Sequence, residues 1–380
     1  MIRRCTNCVM PDTKPDLLFS DRGVCSACSA FADRSQVDWH SRREEFQSLV
    51  EDYRSDKNWD CIVPVSGGKD STAQVLKVLE LGLRPLCVVA GTCDLTPIGR
   101  RNLDNLALLG VDLIEIRANP KIRRQLNKIG LERVGDISWP EHLAIFTSPV
   151  RAAVQFNVPL IVWGENSQNE YGGPAASMQN KVLDRKWLEE FGGLLGLRPS
   201  DLIAEDAFAE QDLLPYMYPS EAELSSVGVT GLFLGHYFPW DGVGNALIAG
   251  AYGFESNPTH TPGSMVGYEN LDNFQTGIHE YFKYLKYGFG RTSDHVSLHI
   301  RRGRLTRKEG MAIVLMNDGA FPSEYMGQSL EITLGKIGLT VSDFNEIADE
   351  FTNEEIFMKD AAGDIRRKFD GTPVQLNYDN

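Results

Sequence analysis

Apolar residues along this chain fall into short runs that alternate with amphipathic stretches. Residues 60–65 (DCIVPV) predict a first strand, and 69–81 predict a helix that stops at Gly82. The runs 84–91 (RPLCVVAG), 111–118 (VDLIEIRA) and 159–166 (PLIVWGEN) predict three more strands, and 230–240 (TGLFLGHYFPW) supplies a fifth. Helices are expected near 98–110 and across 142–158, where Pro149 marks a turn or kink. Between 30 and 55, Trp39, Phe46, Leu49 and Tyr53 recur at near-helical spacing among charges, which reads as a connecting helix. Strands alternating with helices predict a five-stranded parallel sheet with helices on both faces. Ligands of such sheets sit at the carboxyl ends of the strands. Polar stretches at 66–71, 91–94 and 164–166 fall there, and 167–230 reads as an insertion over that face.

Composition narrows the class. The chain has 380 residues, 42% hydrophobic and 24% charged, enough for a sizeable core with appendages. No apolar run approaches the roughly 20 residues of a membrane helix. The start, MIRRCTNCVMPD, lacks the apolar core of a signal peptide, so a cytoplasmic protein without membrane insertion is expected. A net charge of −14 counts against a nucleic-acid partner.

Four of the seven cysteines sit together: Cys5, Cys8, Cys25 and Cys28 read C-x2-C-x16-C-x2-C. This is zinc-ribbon spacing, and a closed four-thiolate site would be structural. An iron–sulfur cluster is the rival occupant. Cys61 and Cys87 fall in strand-like runs and read as core, and Cys93 lies just past a strand end.

The first strand climbs into Ser66-Gly67-Gly68-Lys69-Asp70-Ser71-Thr72 and a helix follows at once. This is neither a Walker A motif nor G-x-G-x-x-G. Two glycines let backbone N–H groups turn onto an anion, and the helix adds its positive end. Ser66, Ser71 and Thr72 offer hydroxyls, Lys69 can neutralise phosphate, and Asp70 can hold Mg2+. Gly91 ends the neighbouring strand and joins this candidate nucleotide site. S-G-G-x-D-S after a strand resembles the pyrophosphate-binding PP-loop of ATP pyrophosphatases. The resemblance implies ATP cleavage between the α and β phosphates, with an adenylated substrate oxygen displaced by a nucleophile.

Three further stretches bear on the substrate. WGENSQNEYGG (163–173) carries Glu165, Asn166, Glu170, Tyr171 and Gly172, and FPWD (238–241) follows the fifth strand. Residues 281–310 gather Lys283, Lys286, Arg291, Arg301, Arg302, Arg304, Arg307 and Lys308 around Asp294 and His295. That segment reads either as a solvated basic face or as an anion site. Together with the cysteines and SGGKDST, the stretches WGEN…EYGG, PWD and KYLKYGFGRTSDH…IRRGRLTR resemble the N-acetyl sugar amidotransferase family of bacterial surface-polysaccharide synthesis. Ser167-Gln168 departs from that pattern. The resemblance implies conversion of an acetamido group on a nucleotide sugar into an acetamidino group, with ATP, Mg2+ and zinc. It implies catalytic roles for Lys69, Asp70 and Glu165, and substrate binding by Asn166, Tyr171, Gly172, Lys286, Arg291, Asp294, His295 and Arg301. Glu165, Asp294 and His295 are the candidates for the base.

Residue 2 is Ile2, and AGTCDL around Cys93 lacks the second glycine of a G-x-C-x-G elbow, so no glutaminase nucleophile is evident. A separate glutaminase subunit, resembling the one that serves imidazole glycerol phosphate synthase, is the expected ammonia source. The rival reading is a PP-loop tRNA-thiolating enzyme, which needs sulfur-handling cysteines that the chain beyond Cys28 does not pair. The expected organisation is a ribbon at 1–30, a connecting helix at 31–58, a PP-loop domain at 59–270 and a helical C-terminal region at 271–380.

Overall fold

A computed structural model describes residues 2–165, 170 and 195–376. Its elements begin with α1 (Ser26–Asp33), α2 (Trp39–Glu51), β1 (Cys61–Pro64), α3 (Lys69–Glu80), β2 (Pro85–Ala90) and α4 (Pro97–Ala107). They continue with β3 (Asp112–Ile116), α5 (Pro120–Val134), α6 (Trp139–Phe156), β4 (Leu160–Trp163) and β5 (Thr230–Phe233). The five strands form one parallel sheet in the order β3-β2-β1-β4-β5.

Both faces of the sheet are buried, which is why its strands read as unbroken apolar runs. Cys61, Val63, Cys87, Val89, Leu160 and Val162 point to one side, against Val75 and Val78 of α3 and Leu103 and Leu106 of α4. Ile62, Leu86, Val88, Ile161 and Trp163 point to the other, against Val150, Ala152 and Ala153 of α6. Cys61 and Cys87 are core residues as expected, and burial raises both thiol pKa values. The connecting helix is α2, capped by Asp38, whose carboxylate accepts from the backbone of His40 and Ser41. Its Phe46 packs on Tyr237 and Phe238 beyond β5.

The helix expected across 142–158 is α6, which runs from Trp139 to Phe156 with Pro149 inside it. Pro149 and Ile145, four residues before it, border a large cavity, so the turn that lacks a hydrogen bond lies against open space. The fifth strand ends at Phe233, and Leu234–Tyr237 is already helical. Much of the expected insertion lies outside the described residues. Its described part packs Leu202, Leu213 and Tyr216 against Trp139 and Leu143 of α6 and does not line the cavity.

The C-terminal region is sewn across the strand ends. Residues 94–96 bond to 271–274 through Thr96 N to Asp272 O at 3.0 Å and Phe274 N to Asp94 O at 3.1 Å. Gly99 of α4 permits the contact: a β-carbon there would lie 2.7 Å from Asp272 Cα. The helices Thr276–Tyr287, Arg291–Arg301 and Arg307–Asn317 follow. The N-terminal cysteine segment docks on them, with Val9 against Val296 and Val314, and Arg307 Nε donating to the carbonyls of Cys5 and Cys8 at 3.0 and 3.1 Å. Among the described residues, no helix is long and apolar enough to cross a membrane.

Because Phe46 is fully buried between α2 and the chain beyond β5, Phe46→Ala is expected to cost about 3–5 kcal/mol. Urea unfolding checks it; an unchanged midpoint would refute this packing.

Candidate active site

The glycine loop sits where β1 ends. Gly67 has φ +79°, and a β-carbon there would meet the Leu103 backbone nitrogen of α4 at 2.8 Å, so glycine is required twice over. Ser71 Oγ and Thr72 Oγ1 both donate to the Gly68 carbonyl at 3.0 Å. Gly68 is the N-cap of α3 and supplies no side-chain cap. The first backbone N–H groups of α3 thus keep their capacity for an anion.

Above the loop lies a cavity of about 560 Å³, lined by residues 64–71 at the end of β1, Ala90 and Thr92 at the end of β2, and Trp163, Gly164 and Glu165 at the end of β4. Its opposite wall is residues 268–273, with Thr276, His279, Glu280 and Arg291. The two walls meet at a buried ion pair: Lys69 Nζ lies 2.5 Å from Glu269 Oε1. Lys69 also pairs with its neighbour Asp70. Arg291 Nη2 holds the second oxygen of Glu269 at 3.1 Å. His295 Nε2 lies 3.7 Å from Glu269 on the side away from the cavity. Burial alone would strip the charge from Lys69, but Glu269 and Asp70 outweigh it and raise its pKa. The Glu269 carboxyl, buried among Lys69, His295 and Arg291, is held below the usual range. Asp70 Oδ1 accepts from Asn245 Nδ2 at 2.7 Å, and its side chain keeps 31% exposure. Asp70 is therefore placed to hold a cation over the loop. Burial pushes the Glu165 carboxyl up to about 8, and the Asp70 charge adds to that against the pull of Lys69.

Residues 265–369 match a known family model. It describes the C-terminal domain of WbpG-like lipopolysaccharide biosynthesis proteins. No curated protein matches the chain. Among solved structures, NMN synthetase from Francisella tularensis aligns over 50% of this chain and 91% of its own. Its identity is 14% and its TM-score 0.26, too slight to bear on function. The matched segment contains Glu269, His279 and Arg291, and so supplies much of the wall that faces the glycine loop.

Of the residues expected at the site, Ser66, Gly67, Gly68, Lys69, Asp70, Ser71, Glu165 and Arg291 line the cavity. Asn166, Tyr171 and Gly172 lie outside the described residues. Six others are elsewhere. Thr72 turns its hydroxyl back to Gly68. Gly91 is buried on β3: its N–H goes to Ile116 O and its carbonyl accepts from Arg123. Lys286 donates to the Val134 carbonyl at 3.2 Å. Asp294 is buried against Lys283. His295 backs Glu269, and burial lowers its pKa to about 4. Arg301 belongs to the cysteine cage. Glu269 and Asn245 carry no sequence signal, because each lies about two hundred residues from the loop it touches and has no motif of its own.

The four cysteine sulfurs converge within 4.8 Å of one another, with Cys5–Cys28 at 3.9 Å and Cys8–Cys25 at 3.7 Å. A tetrahedral ion with Zn–S bonds of about 2.3 Å needs edges of about 3.8 Å. The cage fits one such ion, whereas an iron–sulfur cluster distributes its thiolates over separate irons. Cys5 Sγ accepts from the backbone N–H of Asn7, Cys8 and Cys25. Arg301 places Nε 3.5 Å from Cys28 Sγ and Nη2 3.9 Å from Cys8 Sγ. Burial opposes its charge, but the sulfurs of Cys8, Cys28 and Cys25 raise its pKa.

A pH prediction follows from Glu165. Its carboxyl moves from an ordinary 4.5 to about 8, so the folded chain holds an extra proton between those values. That contribution to stability is present at low pH and is lost as pH rises toward about 8. We predict that Glu165→Gln gains stability over the parent chain as pH rises from about 5 to 8. Parallel urea-midpoint curves would contradict the assignment.

Proposed function

We propose that this chain is an ATP-dependent amidotransferase that converts an acetamido group of a nucleotide-linked N-acetyl sugar into an acetamidino group, in the cytoplasm, for lipopolysaccharide or other surface-glycan synthesis. The observation that carries the reading is the shared cavity. One wall is the S-G-G-K-D-S loop at the strand ends, and the other is supplied largely by the segment that matches a lipopolysaccharide-biosynthesis domain.

In this reading the loop amides and Ser66 bind the β and γ phosphates of ATP, and Lys69 is their counterion. Asp70, braced by Asn245, would hold Mg2+, which supplies charge neutralisation on the pyrophosphate when bound. The acetamido oxygen attacks the α-phosphorus and pyrophosphate leaves, giving an O-adenylyl imidate. Ammonia adds to the imidate carbon and AMP departs with its oxygen. Glu165, poised near neutral pH, exchanges the proton that the attacking nitrogen loses. Arg291 faces the same space and contributes positive charge to the sugar-nucleotide side. Asn166, Tyr171 and Gly172 remain candidates for sugar contacts. A separate glutaminase subunit supplies the ammonia, and zinc in the cysteine cage is structural. Thiolation of tRNA is disfavoured: Cys61 and Cys87 are buried in the core, and neither they nor Cys93 line the cavity.

The test is pyrophosphate release with ATP, Mg2+, ammonium and a panel of nucleotide-linked and free N-acetyl sugars, with unmodified tRNA plus a sulfur donor as control. The expected outcome is release that depends on one acetamido sugar, with a product about one mass unit lighter and turnover reduced by roughly 100-fold or more in Asp70→Asn. Release with tRNA alone would overturn the proposal.

A further inference from the structure

At the end of the cavity bounded by α6 and the Thr276–Tyr287 helix sits a cluster that neither the loop chemistry nor the cysteine cage uses. Asp136, 2% exposed, lies in the connection between α5 and α6. Its Oδ1 is 2.7 Å from His279 Nδ1, and its Oδ2 is 3.1 Å from His142 Nδ1. The two imidazoles meet edge-on, with centroids 5.2 Å apart, and both line the cavity. One donor atom from each of the three residues lies within 4.8 Å of the others.

Three observations make this more than a hydrogen-bonded trio. First, the ion-pair partners of the Asp136 carboxylate among the described residues are these two imidazoles. Its Oδ1 also accepts from the Ser138 N–H at 2.9 Å, and the nearby Lys286 donates to the Val134 carbonyl. The two rings are thus the groups that face the buried carboxylate across the space an ion would fill. Second, His142 Nδ1 is buried and makes no hydrogen bond, although Asp136 Oδ2 is 3.1 Å away. A ligand atom close to a carboxylate but misaligned for a hydrogen bond suits a shared ion. Third, the Asp272 side chain lines the same cavity with no ion-pair partner among the described residues, whereas Glu141 beside it is paired with Arg123 at 3.3 Å.

We propose that Asp136, His142 and His279 bind a divalent transition-metal ion on the cavity wall. Two imidazole nitrogens and one carboxylate favour a borderline ion such as Zn2+, Co2+ or Fe2+ over Mg2+ or Ca2+, which prefer all-oxygen sites. Three protein ligands leave a position for water or for an oxygen or nitrogen of the substrate, which is the pattern of a working site and not of a closed structural one. The inference stands independently of the sugar chemistry, since it concerns ion binding alone.

The test is spectroscopic and uses the full chain with Co2+ in place of its own metals. A four-thiolate cage gives strong sulfur-to-cobalt charge transfer, whereas a site of two imidazoles and a carboxylate gives weak d–d bands without it. The expected result is two ions per chain, one of each kind. His279→Gln and His142→Gln, each partly exposed and mild for folding, should weaken the second ion by more than the roughly 10–100-fold typical of an outer-shell change. The thiolate band should persist in both variants and report an intact cage. Asp136→Asn should behave likewise. A parent chain that binds only the cage ion would overturn the proposal, as would a second ion that survives both histidine replacements together.

Discussion

The interaction on which the site depends is the buried contact of Glu269 with Lys69. A lysine at the start of a helix, 3% exposed, is costly unless its charge is matched. The neighbouring Asp70 supplies part of its match and Glu269, far along the chain, supplies the rest, so the glycine loop is complete only when the segment around Glu269 is in place. Arg291 and His295 then surround the same carboxylate, and the helix they begin becomes part of the site.

That helix runs from the cavity to the cysteine cage. Arg291 opens it beside Glu269, and Arg301 closes it against Cys8 and Cys28. A second route leads back. Arg302 and Arg304 pair with Asp241, Asp241 caps the Gly242–Ala251 helix, and Asn245 of that helix holds Asp70. The cage therefore does more than staple a short N-terminal segment. It anchors one end of the frame whose other end orients the loop, so an ion held by the four cysteines would be connected physically to the candidate active site without touching it.

The sheet was legible because both its faces are buried, so β1, β2 and β4 stand out as apolar runs. The loop and the cage were legible because their residues are close in sequence and their spacing is dictated by local geometry. What escaped was long-range pairing. Glu269, Asn245, Asp136 and His279 carry no local pattern, and only the fold brings them to their partners. The basic segment misled for a related reason. Its charges read as a solvated face or as one anion site, yet Arg301 answers to the cysteine sulfurs, Lys286 to a helix-end carbonyl and Lys283 to Asp294, and Arg291 alone of these four reaches the cavity. Gly91 misled because a strand-end glycine serves close packing as readily as ligand approach: a β-carbon there would lie 2.8 Å from Arg117 Cγ.

The central claim is that the segment around Glu269 completes the glycine loop through its ion pair with Lys69. Hydrogen–deuterium exchange on Glu269→Gln tests it most directly. Breaking a buried pair costs about 3–5 kcal/mol, so exchange should rise by roughly tenfold or more in both residues 66–72 and the Arg291–Arg301 helix, while β1, β2 and β4 stay protected. Unchanged exchange in the loop, or a rise confined to the C-terminal side, would contradict the account.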